Sequence, residues 1–272
     1  MTRGEYLLSN RKFEAKVRLD ALSALFDSGT FRCFEAAGIR TGWACWEVGA
    51  GGPSVVRWLA ERVAPTGRVL ATDIDVSWAS EARGDAVEVR VHDVGRDDAP
   101  SEEFELVHAR LVLVHVVERA RALRTMVSAL RPGGVLVVED ADAALLPAAC
   151  IEPAGAEQEL ANELRNGVRA LMAERGVDLS YGRKLPRLLR EAGLTGVAAS
   201  AFFPIGHLAC GILEQATFGH VGAELVAAGL ATQDELDRHV ANVAAGRLDL
   251  ITAPMISAWG RKPLTVEPSA TT

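Results

Sequence analysis

The segment EVGAGGPS at 47–54 joins a carboxylate to a glycine turn, and it is the first place in the chain where ligand chemistry is expected. Gly49 and Gly51 would let the main chain approach a ligand closely. A nicotinamide enzyme would be expected to show G-x-G-x-x-G, whereas here Glu47 precedes the first glycine and Pro53 replaces a later one. The charge of Glu47 would repel a pyrophosphate and attract an ammonium or sulfonium group.

Three further predicted strands also end in polar residues. Asp73 ends the second strand, Asp93 follows the third, and His108, Ala109 and Arg110 end the fourth. In an open α/β sheet, ligands bind at the carboxyl ends of the strands, near the switch in strand order. Carboxylates at the second and third ends suit a ribose diol and a purine amino group, because both groups are hydrogen-bond donors.

The elements that must position these residues follow from the alternation of β-branched and amphipathic runs over 43–142, which is typical of a parallel sheet covered by helices. Strands are predicted at 45–48, 68–73, 86–92, 104–109 and 134–140, and helices at 55–63, 77–82 and 116–130. Pro53 would preset the first turn of the first helix. Five strands with crossovers are therefore expected.

Beyond residue 142 helices dominate. They are predicted at 153–175, at 183–192 and twice within 210–246, with strands at 195–203 and 250–259 and a mostly helical segment at 5–38. Thr232 and Glu235 match a capping box. We expect an N-terminal helical lid at 1–40, a core at 41–204 and 249–263 in which 142–182 is partly cap, a helical cap insertion at 205–248 and a disordered tail at 264–272.

The composition limits the class of partner. A net charge of −7 without a run of Lys or Arg argues against nucleic acid and against an anionic membrane surface. The chain has no apolar stretch of the ~20 residues that a membrane span needs and no export signal, so a cytoplasmic location is expected. The four cysteines lack metal-ligand spacing and predict neither a metal nor a disulfide. A small-molecule substrate is the expected partner, and a homodimer is left open.

Several segments, taken in chain order, resemble the class I S-adenosylmethionine-dependent methyltransferases. WEVGAGGPS matches the first motif of that family, E/D-x-G-x-G-x-G, while VLATDID matches the second motif and LRPGGVLVVED the fifth-strand motif. YGRKLPRLLREAGLTGV at 181–197 and APMISAWGRKP at 253–263 extend the resemblance over most of the chain. The sequence is most similar to small-molecule methyltransferases of actinobacterial type.

The resemblance implies an α/β fold with a Rossmann-like sheet, parallel except for one antiparallel strand near the C-terminus, and with helical cap and lid segments. It implies S-adenosylmethionine as cofactor. It also implies methyl transfer to O, N or C of a small, fairly hydrophobic molecule, in secondary metabolism.

By the same resemblance, Glu47 lines the methionine part of the cofactor and Asp73 accepts hydrogen bonds from the ribose. Asp93 accepts from the adenine amino group, and Ala109 and Arg110 flank the methionine end. The residues expected to bind the cofactor are Glu47, Gly49, Gly51, Asp73, Ile74, Asp93, Val94, Ala109 and Arg110.

An enzyme can catalyse methyl transfer with little covalent chemistry of its own. Aligning a nucleophile with a good electrophile can lower the activation barrier by roughly 7–11 kcal/mol. A base is needed only when the nucleophile must lose a proton. His115 is the preferred candidate, followed by Tyr6 and His207, and Glu139 and Asp140 end the fifth strand beside the expected substrate.

Three alternatives remain open at this point. Pro53 is either a favourable first-turn residue or the sign of a displaced turn with weaker cofactor affinity. The chain could be a methyltransferase-like protein that binds the cofactor without methyl transfer, or that catalyses a rearrangement. A nicotinamide oxidoreductase is opposed by Glu47 and by the missing third glycine.

Overall fold

The computed structural model describes residues 13–101 and 103–264, and for residues 13 and 14 it describes the backbone alone. The elements in chain order are α1 (Phe13–Ala37), β1 (Ala44–Val48), α2 (Ser54–Val63), β2 (Arg68–Asp73), β3 (Val87–Val91), β4 (Phe104–Arg110), α3 (Arg119–Ala129), β5 (Leu130–Ala141), α4 (Ala156–Glu174), α5 (Tyr181–Glu191), β6 (Thr195–Phe202), α6 (Leu208–Ala227), α7 (Gln233–Ala244) and β7 (Met255–Arg261).

All seven strands form one sheet in the order β3-β2-β1-β4-β5-β7-β6. The first five run parallel, while β7 is antiparallel to both β5 and β6. This confirms the predicted α/β sheet with an antiparallel strand near the C-terminus. Strand order reverses between β1 and β4, so the carboxyl ends of these two strands mark the expected position of a ligand.

Apolar residues alternate between the two faces of the sheet, and both faces are covered. Trp46 and Leu136 lie in the cluster that α3 and α5 complete on one face. Cys45 and Val137 lie in the cluster that α1 and α2 complete on the other, where Phe34 of α1 is fully buried. Because both faces of the central strands are covered, β1, β2, β4 and β5 are largely apolar runs, as expected of buried parallel strands, whereas the edge strand β6 is mostly exposed.

Helices α1, α4, α6 and α7 extend beyond the sheet. They share apolar clusters in which small side chains are common, such as Ala161, Ala209 and Cys210. The predicted capping box of α7 is confirmed: Thr232 accepts from the backbone N–H of Glu235, and the Glu235 carboxylate accepts from that of Thr232. How these helices divide into lid, core and cap stays a prediction.

Some predicted boundaries are wrong for local reasons. The last strand begins at Met255 rather than at residue 250, because Pro254 lacks an N–H for the ladder. Leu250 and Ile251 instead form isolated bridges with Cys150 and Ile205. The helix predicted at 77–82 is a single 3-10 turn at Ala79–Ala82, and α3 begins at Arg119 instead of residue 116. The tail beyond residue 264 lies outside the described residues.

Candidate active site

The glycine turn after β1 is tightly packed against two neighbouring segments. Gly49 and Gly51 have positive φ angles of 64° and 58°, a conformation that favours glycine. A Cβ on Gly49 would lie 2.3 Å from Cγ2 of Val112, and one on Gly51 would lie 2.9 Å from Cδ2 of Leu19. Since Val112 follows β4 and Leu19 belongs to α1, the turn needs glycine to fit beneath both.

Asp73, at the end of β2, is hydrogen-bonded to this turn. One carboxylate oxygen accepts from the backbone N–H of Gly51 at 2.9 Å and the other from that of Asp75 at 2.9 Å. Burial raises the pKa of Asp73. A carboxylate has further lone pairs for a diol, and the adjacent Ile74 is 62% exposed, so this strand end presents both a polar acceptor and an apolar surface.

Asp93 lies just beyond β3, at the next strand end. Its Oδ1 accepts from the backbone N–H of Gly95 at 2.9 Å, and its Oδ2 is 3.6 Å from Nε of the exposed Arg96. Val94 is buried. The Asp93 side chain remains partly exposed, which leaves it accessible to a ligand donor.

The most concentrated group of charges lies under α1, on the face of the sheet that α1 and α2 cover. His108 of β4 is fully buried between two carboxylates: its Nδ1 is 2.6 Å from Oε2 of Glu47, and its Nε2 is 3.2 Å from Oε2 of Glu139. The hydroxyls of Thr30 and Ser257 both donate to Glu139. These five residues are called the buried ion cluster below.

The charges within the buried ion cluster stabilise one another. Burial alone would lower the pKa of His108, but Glu47 and Glu139 outweigh it and raise the pKa to about 9. Burial would raise the pKa of Glu139, but the hydrogen bond and charge of His108, helped by Arg110, lower it to about 2. The centre of the cluster is therefore an imidazolium at neutral pH.

Arg110 connects the end of β4 to α1. Its guanidinium lies 2.9 Å from Oδ1 of Asp27 and donates to Oγ1 of Thr30 at 3.0 Å. Ala109 is buried on the opposite face of the sheet. The side chains of Glu47 and Arg110 therefore bind protein groups, and their contact with the cofactor, like that of Ala109, stays a prediction.

His115 follows β4 and is partly buried. Burial and the charges of Arg18 and Arg119 lower the pKa of its imidazole to about 4. The side chain is neutral at neutral pH and can accept a proton there, although with a small driving force. It remains the candidate base that follows β4, one of the two strands at the switch in strand order.

The other two candidate bases differ in position. His207 is exposed and caps α6, since its Nδ1 accepts from the backbone N–H of Ala209 at 3.1 Å. A ring nitrogen used in this way is less available as a base. Tyr6 lies outside the described residues.

Asp140, the neighbour of Glu139 on β5, has the opposite environment. It is fully buried on the face covered by α3 and α5, and neither Oδ atom has a hydrogen bond of good geometry with a described residue. Burial raises its pKa well above the usual value, against smaller opposite effects of the Val114 N–H and Arg119. Burial therefore favours the protonated form of this side chain.

Sequence reasoning placed His108 and Glu139 at strand ends but gave the cluster no role, and it missed Asp27, Thr30 and Ser257. One signal was present in the sequence. Glu47, His108 and Glu139 occupy the same face as buried apolar neighbours in strands that are otherwise hydrophobic, and a charge in such a place needs a partner. Which partner it finds depends on strand pairing.

Comparisons with known proteins agree with this geometry. A family described as a methyltransferase domain matches residues 46–138. The chain is 31% identical over 132 residues to the ubiquinone/menaquinone biosynthesis C-methyltransferase UbiE of Bordetella parapertussis, covering 44% of this chain and 51% of that protein. The chain thus spans about half the length of the curated relatives it matches.

Two solved structures share the fold. Haemonchus contortus phosphoethanolamine N-methyltransferase 2, in complex with phosphomonomethylethanolamine and S-adenosylhomocysteine, aligns with a TM-score of 0.60 at 12% identity, over 97% of this chain and 61% of that one. A protein of Anabaena variabilis, assigned as a methyltransferase from an antibiotic biosynthesis pathway, aligns with a TM-score of 0.57 at 16% identity, over 84% and 94%.

The sheet order and the polar strand ends agree with the methyltransferase domain that residues 46–138 match. The donor set fits S-adenosylmethionine, because Asp73 and Asp93 stand at adjacent strand ends beside a glycine turn. Within residues 13–101 and 103–264, no group of three or more His, Cys, Asp or Glu could hold a metal ion. None of the helices described there could cross a membrane.

Proposed function

We propose that this chain transfers a methyl group from S-adenosylmethionine to an O, N or C atom of a small, fairly hydrophobic molecule. A role in secondary metabolism, a cytoplasmic location and a homodimer belong to the same proposal. The resemblance of the motifs to small-molecule methyltransferases of actinobacterial type supports the metabolic role.

The arrangement of the strand ends carries the proposal. Strands β3, β2, β1 and β4 are neighbours in the sheet, and their carboxyl ends offer Asp93, Asp73, the glycine turn and the segment containing Val112 and His115. A ribose diol and an adenine amino group are donors, so the two carboxylates can bind them in this order. The glycine turn then lies next to the methionine part.

An acceptor site beside β4 would be apolar. Leu111 directly follows β4, and its side chain packs against a cluster that includes Leu25, Cys150 and Met255. Leu111 also has a positive φ of 57°, which is uncommon for a bulky residue and often marks a functional segment. An apolar wall next to the methionine end suits a hydrophobic acceptor.

The pKa values of the two histidines near the end of β4 support catalysis by positioning of the acceptor. His115 titrates at about 4 and His108 at about 9, so neither imidazole changes its charge near pH 7. Alignment of the acceptor and exclusion of water therefore supply most of the acceleration. His115 is neutral above about pH 4, so it can accept a proton from the acceptor only transiently, as a weak base.

Cofactor binding tests the first half of the proposal. S-adenosylhomocysteine at a hundredfold excess over its Kd should stabilise the chain by about 2.7 kcal/mol and raise its Tm. The Asp73→Ala variant should bind at least tenfold more weakly, since a hydrogen bond to a charged group is worth roughly 1.5–3 kcal/mol. Asp75→Ala is the matched control and should bind normally. An unchanged Tm at millimolar ligand would refute the cofactor site.

Methyl transfer is tested separately, with a panel of small indoles, phenols and amines and with release of S-adenosylhomocysteine as the readout. Turnover of any apolar member supports the proposal. Binding of the cofactor without turnover across the panel would favour the alternative, a protein that binds S-adenosylmethionine without methyl transfer.

A further inference from the structure

The two edges of the sheet differ in their protection by charge. Strand β3, at one edge, carries Glu88 and Arg90, whose Oε1 and Nη2 atoms lie 2.8 Å apart in an exposed ion pair. Strand β6, at the other edge, reads TGVAASAF and has no ionisable side chain. Charged side chains on an edge strand prevent its pairing with another chain, so β6 lacks the protection that β3 has.

The outer edge of β6 is open. In the described part of the chain β6 pairs with β7 alone, and every residue of β6 except the half-buried Val197 is exposed. One side of the strand therefore presents backbone N–H and C=O groups without a sheet partner. Such an edge is a template for one more strand.

The residues that follow β6 are also uncharged and apolar. No Asp, Glu, Lys or Arg occurs between residues 195 and 213, although Phe203, Ile205 and Leu208 are 36%, 58% and 80% exposed. A single exposed apolar residue is common on protein surfaces. Several of them directly beyond an open strand edge mark an interaction surface.

A second segment extends this surface. Isolated bridges connect residues 250–251 to Cys150 and Ile205, so the segment 145–151 lies next to the residues that follow β6. This segment has no charged residue either, and two of its apolar side chains are half exposed. The segments 145–151 and 195–213 are called the β6 surface below. Together they contain about as many residues as the roughly 20–30 that each partner contributes to a standard interface.

The charge of the chain indicates which partner fits the β6 surface. The net charge is −7, so two copies repel each other where their charged surfaces meet. They can meet across the β6 surface without that cost, and an uncharged surface does not select a partner of opposite charge. An antiparallel strand edge is also complementary to itself, because a two-fold axis places donors opposite acceptors of the copy.

We propose that β6 pairs antiparallel with β6 of a second copy of this chain and joins two seven-stranded sheets into one. The two-fold axis then passes near the middle of β6, and Phe203 and Ile205 lie at the start of the copy's strand. The inference rests on the proposed function only in that it names the interface of the proposed homodimer. Because β4, β5 and β7 lie between β1 and β6, the cofactor turn stays outside this interface.

Charges placed in the middle of β6 test the pairing. Ala199 is exposed, and near a two-fold axis its side chain lies directly or diagonally opposite Ala199 of the copy. Ala199→Lys and Ala199→Glu each place like charges there, so each variant alone should raise the dimer Kd by about tenfold or more. An equimolar mixture of the two should recover the wild-type Kd, because Lys then meets Glu. Sedimentation velocity measures these constants.

The other edge of the sheet provides the matched control. Glu88→Lys changes the charge of the exposed edge strand β3 and should leave the dimer Kd unchanged within about twofold. A monomeric wild type, an unchanged Kd in both Ala199 variants, or a mixture that does not recover the dimer would overturn the proposal.

A second measurement needs no substitution. Hydrogen exchange of the β6 amides should slow as the wild-type concentration rises through the dimer Kd, because the outward N–H groups gain acceptors. Protection that does not depend on concentration would overturn the pairing. Its loss on deletion of residues 1–12 would assign the β6 surface to that segment of the same chain instead.

Ligand binding separates this inference from the proposed methyl transfer. S-adenosylhomocysteine should bind the wild type and Ala199→Lys with Kd values that agree within about twofold, because the two sites are far apart. Failure of the wild type to bind would refute the cofactor site, while sedimentation would still decide on the dimer.

Discussion

Glu139 and Asp140 are adjacent on β5, yet the two faces of the sheet treat their carboxyl groups in opposite ways. On the face under α1, Glu139 is ionised because it contacts the imidazolium of His108 and two hydroxyls. On the face under α3 and α5, Asp140 lacks a comparable cation contact, and burial favours its protonated form. Burial alone would raise the pKa of both carboxyl groups, and the net shifts differ because the partners of the two groups differ.

The difference shows that the contribution of a buried acid to the structure depends on the groups that contact it. The ionised group is bound by directed contacts and can hold α1 in one position. Asp140 has no comparable ion pair, and the Val114 N–H and the charge of Arg119 lower its pKa by less than burial raises it.

The largest expected effect comes from removing the cation of the first face. In His108→Leu, two buried carboxylates would face each other without a counter-charge, and the free energy of unfolding should fall by about 3–5 kcal/mol. Urea unfolding measures the change. Adding Glu139→Gln should recover much of the loss, because it removes one of the two charges.

A matched control exists between α6 and α7. His239 is as deeply buried and lies 3.3 Å from Oε1 of Glu214, but Glu214 also contacts Arg165. His239→Leu leaves that carboxylate with a cation and should cost clearly less than His108→Leu. Equal losses would mean that the cost comes from cavity formation and not from uncompensated charge.

The pH dependence of stability should show the same cation. The pKa of His108 is about 9 in the folded chain and 6.5 as the ordinary value, so its contribution is fully present below pH 6.5. It is lost as pH rises through about 9, by roughly 3 kcal/mol in total. Unfolding of the wild type at pH 6–10 should show this fall, and His108→Leu should lack it.

Below about pH 9 the groups that face His108 do not mimic this fall. Glu47 and Glu139 are the carboxylates in contact with it, and Arg110 with Asp27 forms the adjacent ion pair. Burial raises the pKa of the neighbouring Cys33 from 9.0 to about 11, so this thiol adds its own fall of stability above about pH 9, which His108→Leu retains. A wild-type curve that is flat between pH 6.5 and 9 would contradict an imidazolium in the folded chain.

The smallest effect is expected on the second face. Asp140→Asn mimics the neutral acid, so the variant should be more stable than the wild type above the ordinary pKa of Asp, 3.8. The wild type loses stability as pH rises above 3.8, because burial raises the pKa of Asp140 in the folded chain, whereas the Asn side chain binds no proton. The gain should shrink as pH falls towards 4, and a loss of stability at pH 7 would show that Asp140 is ionised.

The two faces also differ in how far the sequence could predict them. The glycine turn, Asp73 and Asp93 were predictable because each follows a strand, and position at a strand end is a local property. The buried ion cluster was not, because its members meet through strand pairing: Glu139 and Ser257 are 118 residues apart in the chain. The neutrality of Asp140 depends on burial, which α3 and α5 provide.

The position of β7 between β5 and β6 has a consequence for the order of synthesis. Among the described strands, β6 pairs with β7 alone, so residues 195–202 have no sheet partner while the ribosome makes α6 and α7. The edge of β5 stays open for the same interval, and Ser257 arrives only with β7. Assembly of the sheet is thus delayed until the final strand emerges, which leaves the nascent chain with unpaired strand edges for longer than the β1–β5 order alone would require.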